Sequence, residues 1–137
     1  MPVSPSDFLT LAKSLSERDS EIEWRSAVSR AYYATYHQLL DFPDRFDMFG
    51  EPGQGSHDQL FKTLRAAKCR GGKSNAIKGK LMVLGNDMLQ FKQQRTLADY
   101  TLPGTITKSD AQMAVETAES VGATAAEALK LLQEQCD

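Results

Sequence analysis

The sequence predicts an all-α protein: an antiparallel up-down bundle of four main helices, with a short additional helix at the N-terminal end. Three observations carry that expectation. Apolar residues recur at three- and four-residue intervals through nearly the whole chain, the spacing that gathers them on one face of a helix. No segment sustains the apolar–polar alternation and β-branched enrichment of a strand. The breaks in the pattern are few and are marked by Pro and Gly, which end helices. With 137 residues, 41% hydrophobic and 25% charged, the chain has the size and composition of a single soluble domain over 1–137 with a core of its own.

Taken in order, the first helix is expected over Ser6 to Leu15, with Phe8, Leu11, Ala12 and Leu15 on one stripe and Ser4 and Ser6 as start signals. The second runs from about Ser20 to Leu40. Its opening Ser20-Glu21-Ile22-Glu23 reads as a capping box, with acidic side chains at the positive end of the helix dipole. Asp41 to Gly55, which holds Pro43, Gly50, Pro52, Gly53 and Gly55, reads as a loop. A third helix starts at Ser56, buries Leu60, Phe61, Leu64 and Ala67, and ends near Gly71-Gly72. The fourth spans Ser74 to Ala98 with Ile77, Leu81, Leu84, Met88 and Phe91 inside. After Leu102-Pro103-Gly104 the last helix begins near Ser109, where Ser109 and Gln112 have capping-box spacing. Its alanine-rich stripe, from Ala111 to Leu132, favours close helix–helix approach.

Several function classes are excluded or weakened. The longest stretch without a charged side chain, Ala31 to Leu40, has ten residues, against the roughly 20 a membrane-spanning helix needs. The N-terminal Met-Pro-Val-Ser-Pro-Ser-Asp has neither the basic nor the apolar region of a signal peptide, so a cytoplasmic location is expected. Cys69 and Cys136 are too few for a disulfide framework or a closed zinc site and are expected reduced. No zinc, P-loop or Rossmann signature is present, so no metal and no cofactor is expected; Gly71-Gly72-Lys73 alone is no phosphate loop, and His57 reads as a capping-region histidine.

The net charge of −2 argues against nucleic-acid binding through bulk charge, but its distribution is uneven. Seven basic and no acidic residues lie between Gln59 and Asn86, including Lys62, Arg65, Lys68, Arg70 and Lys73. Acidic residues dominate Asp41 to Asp58 and the stretch from Ser109 onward. The basic third is a candidate anion-attracting patch, or equally a solvated helix face.

The second helix carries two faces. On a helical wheel Trp24, Val28, Ala31, Tyr32, Thr35, Leu39 and Phe42 form a core stripe. Arg30 and His37, seven residues and about 20° apart, lie opposite it, with Ser26, Tyr33 and Leu40 on their side. Tyr33 and Leu40 are unusual on a water-facing surface, so a further helix or a partner subunit is expected to cover this face. An Arg and a His about 10 Å apart along the axis suit phosphate chemistry. A guanidinium grips phosphate with two prongs, and an imidazole moves protons near neutral pH.

The run Arg25-Ser26-Ala27-Val28-Ser29-Arg30-Ala31-Tyr32-Tyr33-Ala34-Thr35-Tyr36-His37 resembles the central signature of HEPN (higher eukaryotes and prokaryotes nucleotide-binding) domains, in particular a small prokaryotic branch with a Ser-Arg-Ala-Tyr-Tyr-Ala core. Arg95-Thr96-Leu97-Ala98-Asp99-Tyr100 is similar to that branch's second motif, and order, separation and length agree over nearly the whole chain. The resemblance implies a dimeric helical bundle. It also implies a metal-independent endoribonuclease acting as a toxin or defence component, often beside a nucleotidyltransferase-type antitoxin. The family's Arg-x4–6-His motif maps onto Arg30 and His37, and Ala31 stands where active members commonly carry a polar residue. The expected homodimer uses the Arg30/Tyr33/His37 face, with RNA as substrate and the basic stretch at the rim of the cleft. The alternatives are a catalytically inactive HEPN module for dimerisation, nucleotide contact or partner binding, and a plain helical adaptor. Arg95 and Asp99 have the spacing of a helix ion pair, with Tyr100 expected to pack down on the bundle or Arg95 to join the phosphate site.

Overall fold

The computed structural model describes residues 3–136, and of Cys136 the backbone only, so the reduced Cys136 thiol expected from sequence lies outside the described side chains. Six helices follow one another: α1 (Pro5–Ser16), α2 (Glu21–Leu39), α3 (Phe42–Arg45), α4 (Ser56–Ala66), α5 (Asn75–Tyr100) and α6 (Lys108–Cys136). No strand occurs among the described residues. The fold is all-α, with four main helices (α2, α4, α5, α6) and a short leading α1. No described helix is long and apolar enough to cross a membrane.

The chain divides into two compact units. The first holds α1, α2 up to Gln38 and the segment Gln90–Ser120; the second holds Leu39–Leu89 and the residues from Val121 on. In the first unit α1 starts with a local exchange, the Ser4 N–H donating to Asp7 Oδ2 at 2.8 Å. Ala12 and Ser16 are its buried positions, Leu11 being largely exposed rather than part of the stripe. α2 is buried around more of its circumference than one stripe, because Ala27, Ala34, Ser29 and even Arg25 are covered along with Val28, Ala31, Tyr32 and Thr35. On α6, Ala111, Ala114 and Ala118 are buried, small side chains of the kind that favour close helix packing. α6 starts one residue earlier than predicted. Its reciprocal cap is Thr107 with Asp110 (N–H to Oδ2 2.9 Å, N–H to Oγ1 3.1 Å) and not Ser109 with Gln112. Gln112 is used elsewhere, donating to Glu17 at 3.3 Å.

The second unit has a core of large side chains: Phe42, Phe46, Phe61, Leu64, Leu81 and Met88 are all buried. The segment expected to be a loop contains α3. Pro43 sits in its first turn, where the missing N–H costs nothing, and Phe42 and Phe46 pull that turn inward. α4 ends at Ala66, earlier than predicted, with Ala67 left-handed (φ 51°) and its N–H bonded to Leu64 O at 3.1 Å. The chain is then held by an antiparallel bridge between Met48 and Cys69, flanked by Phe49 N–H to Lys68 O (2.8 Å) and Arg70 N–H to Asp47 O (2.7 Å).

Candidate functional site

All residues of the two sequence motifs lie in the first unit, but they form two clusters. Arg25, Ser29 and Tyr33 are four residues apart and form one stripe of α2, which meets the end of α5 running the other way. The buried Arg25 guanidinium donates to the carbonyls of Leu97 (3.2 Å), Ala98 (2.9 Å), Thr101 (3.2 Å), Leu102 (3.3 Å) and Gly104 (2.5 Å), while its Nε donates to Glu21 (2.9 Å). One turn on, Ser29 Oγ donates to Asp99 Oδ2 at 3.3 Å. One turn further, Tyr33 Oη accepts from Arg95 Nη2 at 2.6 Å. The second motif is thus the counterpart of the first.

Arg95 is the centre of this cluster. Its guanidinium carbon lies 5.3 Å from the Tyr32 ring centroid, 5.2 Å from Tyr33 and 5.7 Å from Tyr100. Asp99 Oδ2 is 3.5 Å from its Nε, the i,i+4 ion pair the spacing predicts, although that Nε makes no hydrogen bond. Burial opposes the charge on Arg95; the hydrogen bond to Tyr33, with Asp99 alongside, outweighs it and raises the pKa above the ordinary arginine value. Burial also pushes the Tyr32 hydroxyl far above the usual tyrosine range. Tyr100 does not pack down on the bundle as expected. It is 70% exposed, because it is the last residue of α5 and offers Arg95 only a ring face.

Arg30 and His37 form the second cluster, joined by a residue the sequence did not single out as functional. The Phe8 ring of α1 lies 5.9 Å from the Arg30 guanidinium carbon and 5.4 Å, tilted 31°, from the His37 ring. Of the seven arginines, Arg18, Arg25, Arg45, Arg70 and Arg95 make ion pairs; among the described residues Arg30 and Arg65 make none. Tyr33 bridges the clusters, its ring 6.1 Å from that of His37 and its oxygen on Arg95. α1 therefore covers part of the face from within the same chain, while His37 and Leu40 stay exposed. Arg25, Ser29 and Phe8 are what the wheel missed. The four-residue spacing of Arg25, Ser29 and Tyr33 was a readable signal; nothing in the sequence points from Phe8 to His37.

The basic stretch belongs to the second unit. Lys62 pairs with Asp58 (3.0 Å), Lys68 with Glu51 (3.3 Å) and Arg70 with Asp47 (3.3 Å), so the preceding acidic segment answers much of its charge. Lys73 donates to the Arg70 carbonyl (3.3 Å), and Arg65 is exposed. Arg70 also stacks over Phe49, 4.2 Å from its centroid.

A groove of about 260 Å³ in the first unit is lined by Val28, Leu97, Ile106, Asp110, Met113 and Thr117 among others. None of the predicted site residues lines it, and its one carboxylate, Asp110, already caps α6. Among the described residues no three His, Cys, Asp or Glu side chains are grouped to hold a metal ion. The chain matches no protein-family model, no curated protein and no solved structure.

Proposed function

We propose that the protein is a HEPN-type, metal-independent endoribonuclease acting in the cytoplasm as a toxin or defence component. One observation carries the reading: Arg30, a cation without a carboxylate partner among the described residues, shares the Phe8 ring with the exposed His37. A buried or half-buried arginine held only for stability normally finds an anion, as Arg25 and Arg95 do.

In this reading a 2′-hydroxyl of RNA gives its proton to His37 and attacks its own phosphorus. The new O2′–P bond forms as the P–O5′ bond breaks, and the proton returns to the departing 5′-oxygen. Arg30 neutralises the charge that builds on the phosphoryl oxygens. Tyr33, tied to Arg95, holds its ring beside His37 and orients it. A second copy docked across the Arg30/Tyr33/His37 face would bring two such pairs into one cleft, and a nucleotidyltransferase-type antitoxin is the partner that fits such a toxin.

The test is cleavage of several RNAs in the presence of EDTA. His37→Ala is expected to slow cleavage about 10²–10⁴-fold, and Arg30→Ala about 10²–10³-fold, with 2′,3′-cyclic phosphate ends on the wild-type products. Absence of cleavage by the wild-type protein overturns this reading. It leaves the second, a catalytically inactive HEPN module for dimerisation, nucleotide contact or partner binding. The specific observation on that side is Ala31, fully buried where active family members commonly carry a polar residue.

A further inference from the structure

We propose that α1 is a movable cover over the Arg30/His37 pair, and that a phosphate bridges the two groups only when Phe8 is displaced. The inference rests on the phosphate-binding role given to that pair above. It adds a regulated access step that neither the motif nor the proposed reaction contains.

Both functional groups touch the same ring. Phe8 is 5.9 Å from the Arg30 guanidinium and 5.4 Å from the His37 imidazole, so the space a bridging phosphate needs is filled by an apolar side chain. Among the described residues the Arg30 side chain has this ring contact but no ion pair and no hydrogen bond to a protein acceptor. An anion in that space would be the better partner for them, since charge-assisted, two-pronged hydrogen bonds outweigh a ring contact at a partly exposed site.

The way α1 is fastened supports movement about one end. Its C-terminal half and the turn after it are tied to the rest of the unit. Ala12 and Ser16 are buried, Lys13 pairs with Glu119 (3.1 Å), Gln112 donates to Glu17 (3.3 Å), and Trp24 Nε1 donates to the Arg18 carbonyl (2.8 Å). Among the described residues the first turn makes only local bonds: Ser4 N–H to Asp7 (2.8 Å), Ser4 with Ser6 (2.9 Å) and Thr10 to the Ser6 carbonyl (3.0 Å). Phe8 sits on the loosely held side of α1, so lifting that half uncovers the pair without unfolding the α1–α2 turn.

The experiment follows the His37 Cε1–H resonance of the full chain during titration with inorganic phosphate, with His57, the other histidine, as the internal reference. If the open form is about a tenth of the population or less, the cover weakens binding by the same factor, so Phe8→Ala is expected to bind phosphate at least about tenfold more tightly than wild type. The gain is expected to vanish in Phe8→Ala/Arg30→Ala. Phe8→Leu, which keeps an apolar side chain on α1 but removes the ring that Arg30 and His37 share, is expected to shift affinity in the same direction; it decides the matter if Phe8→Ala does not fold. Equal responses of wild type and the uncovering variants, or no response from any of them, overturn the proposal. Tighter phosphate binding in Phe8→Ala without RNA cleavage sinks the nuclease reading and upholds the cover.

Discussion

Arg25 brings a full positive charge to the end of α5, where the helix dipole and the last unbonded carbonyls leave negative potential. Its planar fork reaches five carbonyl oxygens at once, which a single ammonium group cannot do. Arg25→Ala is therefore expected to lower stability by about 3 kcal/mol or more in urea unfolding, at roughly 1 kcal/mol per carbonyl bond lost. Arg25→Lys should recover only part of that; a fully stable lysine variant would mean that charge alone holds the turn. Asp87 is a residue of the opposite kind: half-buried, with no ion pair among the described residues, its carboxyl raised above the ordinary value of 3.8 by burial. A carboxyl raised in the folded state binds its proton more tightly there than in the unfolded chain. The associated stability is present below pH 3.8 and is lost as pH rises through the folded-state value. Asp87→Asn is thus expected to raise the melting temperature at neutral pH and to leave it unchanged in acid below the aspartate range. An equal gain at both pH values would point to something other than the buried charge.

Between elements, the approach of α4 to α5 depends on one missing side chain. A Cβ on Gly85 would stand 2.6 Å from the Phe61 carbonyl oxygen and would collide with the Arg65 backbone amide. Alanine is the better helix former by about 1 kcal/mol, so propensity and packing have opposite signs at this position. Packing is expected to win, with Gly85→Ala destabilising by about 1–3 kcal/mol in thermal unfolding. Gly79, on the same helix with nothing within 4 Å of its would-be Cβ, is the control: Gly79→Ala should stabilise by up to about 1 kcal/mol. If both substitutions stabilise, the two helices are not held as close as Gly85 implies. The same contest between local and tertiary preference explains α3. Pro43 reads as a helix breaker by composition, yet it is harmless in a first turn, and burial of Phe42 and Phe46 decides the conformation.

At the scale of the whole chain, the charge pattern along the sequence and the charge pattern in space differ. The acidic stretch before α4 and the basic stretch in and after it look like separate patches when counted by position. Yet Asp47, Glu51 and Asp58 stand 3.0–3.3 Å from Arg70, Lys68 and Lys62. Such partly exposed pairs add little stability each, but they lower the field an RNA backbone would feel. The sequence by itself determined the all-α class, the extents of α1, α2 and α5 to within two residues, and most of the core, because 3.6-residue periodicity and Pro/Gly breaks are local signals. It also determined that Arg30 and His37 share a face, since that follows from their spacing within one helix. What it left open was decided by contacts between residues far apart in the chain. Arg25 belongs to the end of α5, Tyr33 is held by Arg95, and Tyr100 faces solvent. Phe8 stands between Arg30 and His37 for the same reason. A helical wheel assigns each residue a direction and no neighbour; only the packing of one helix on another supplies the neighbour.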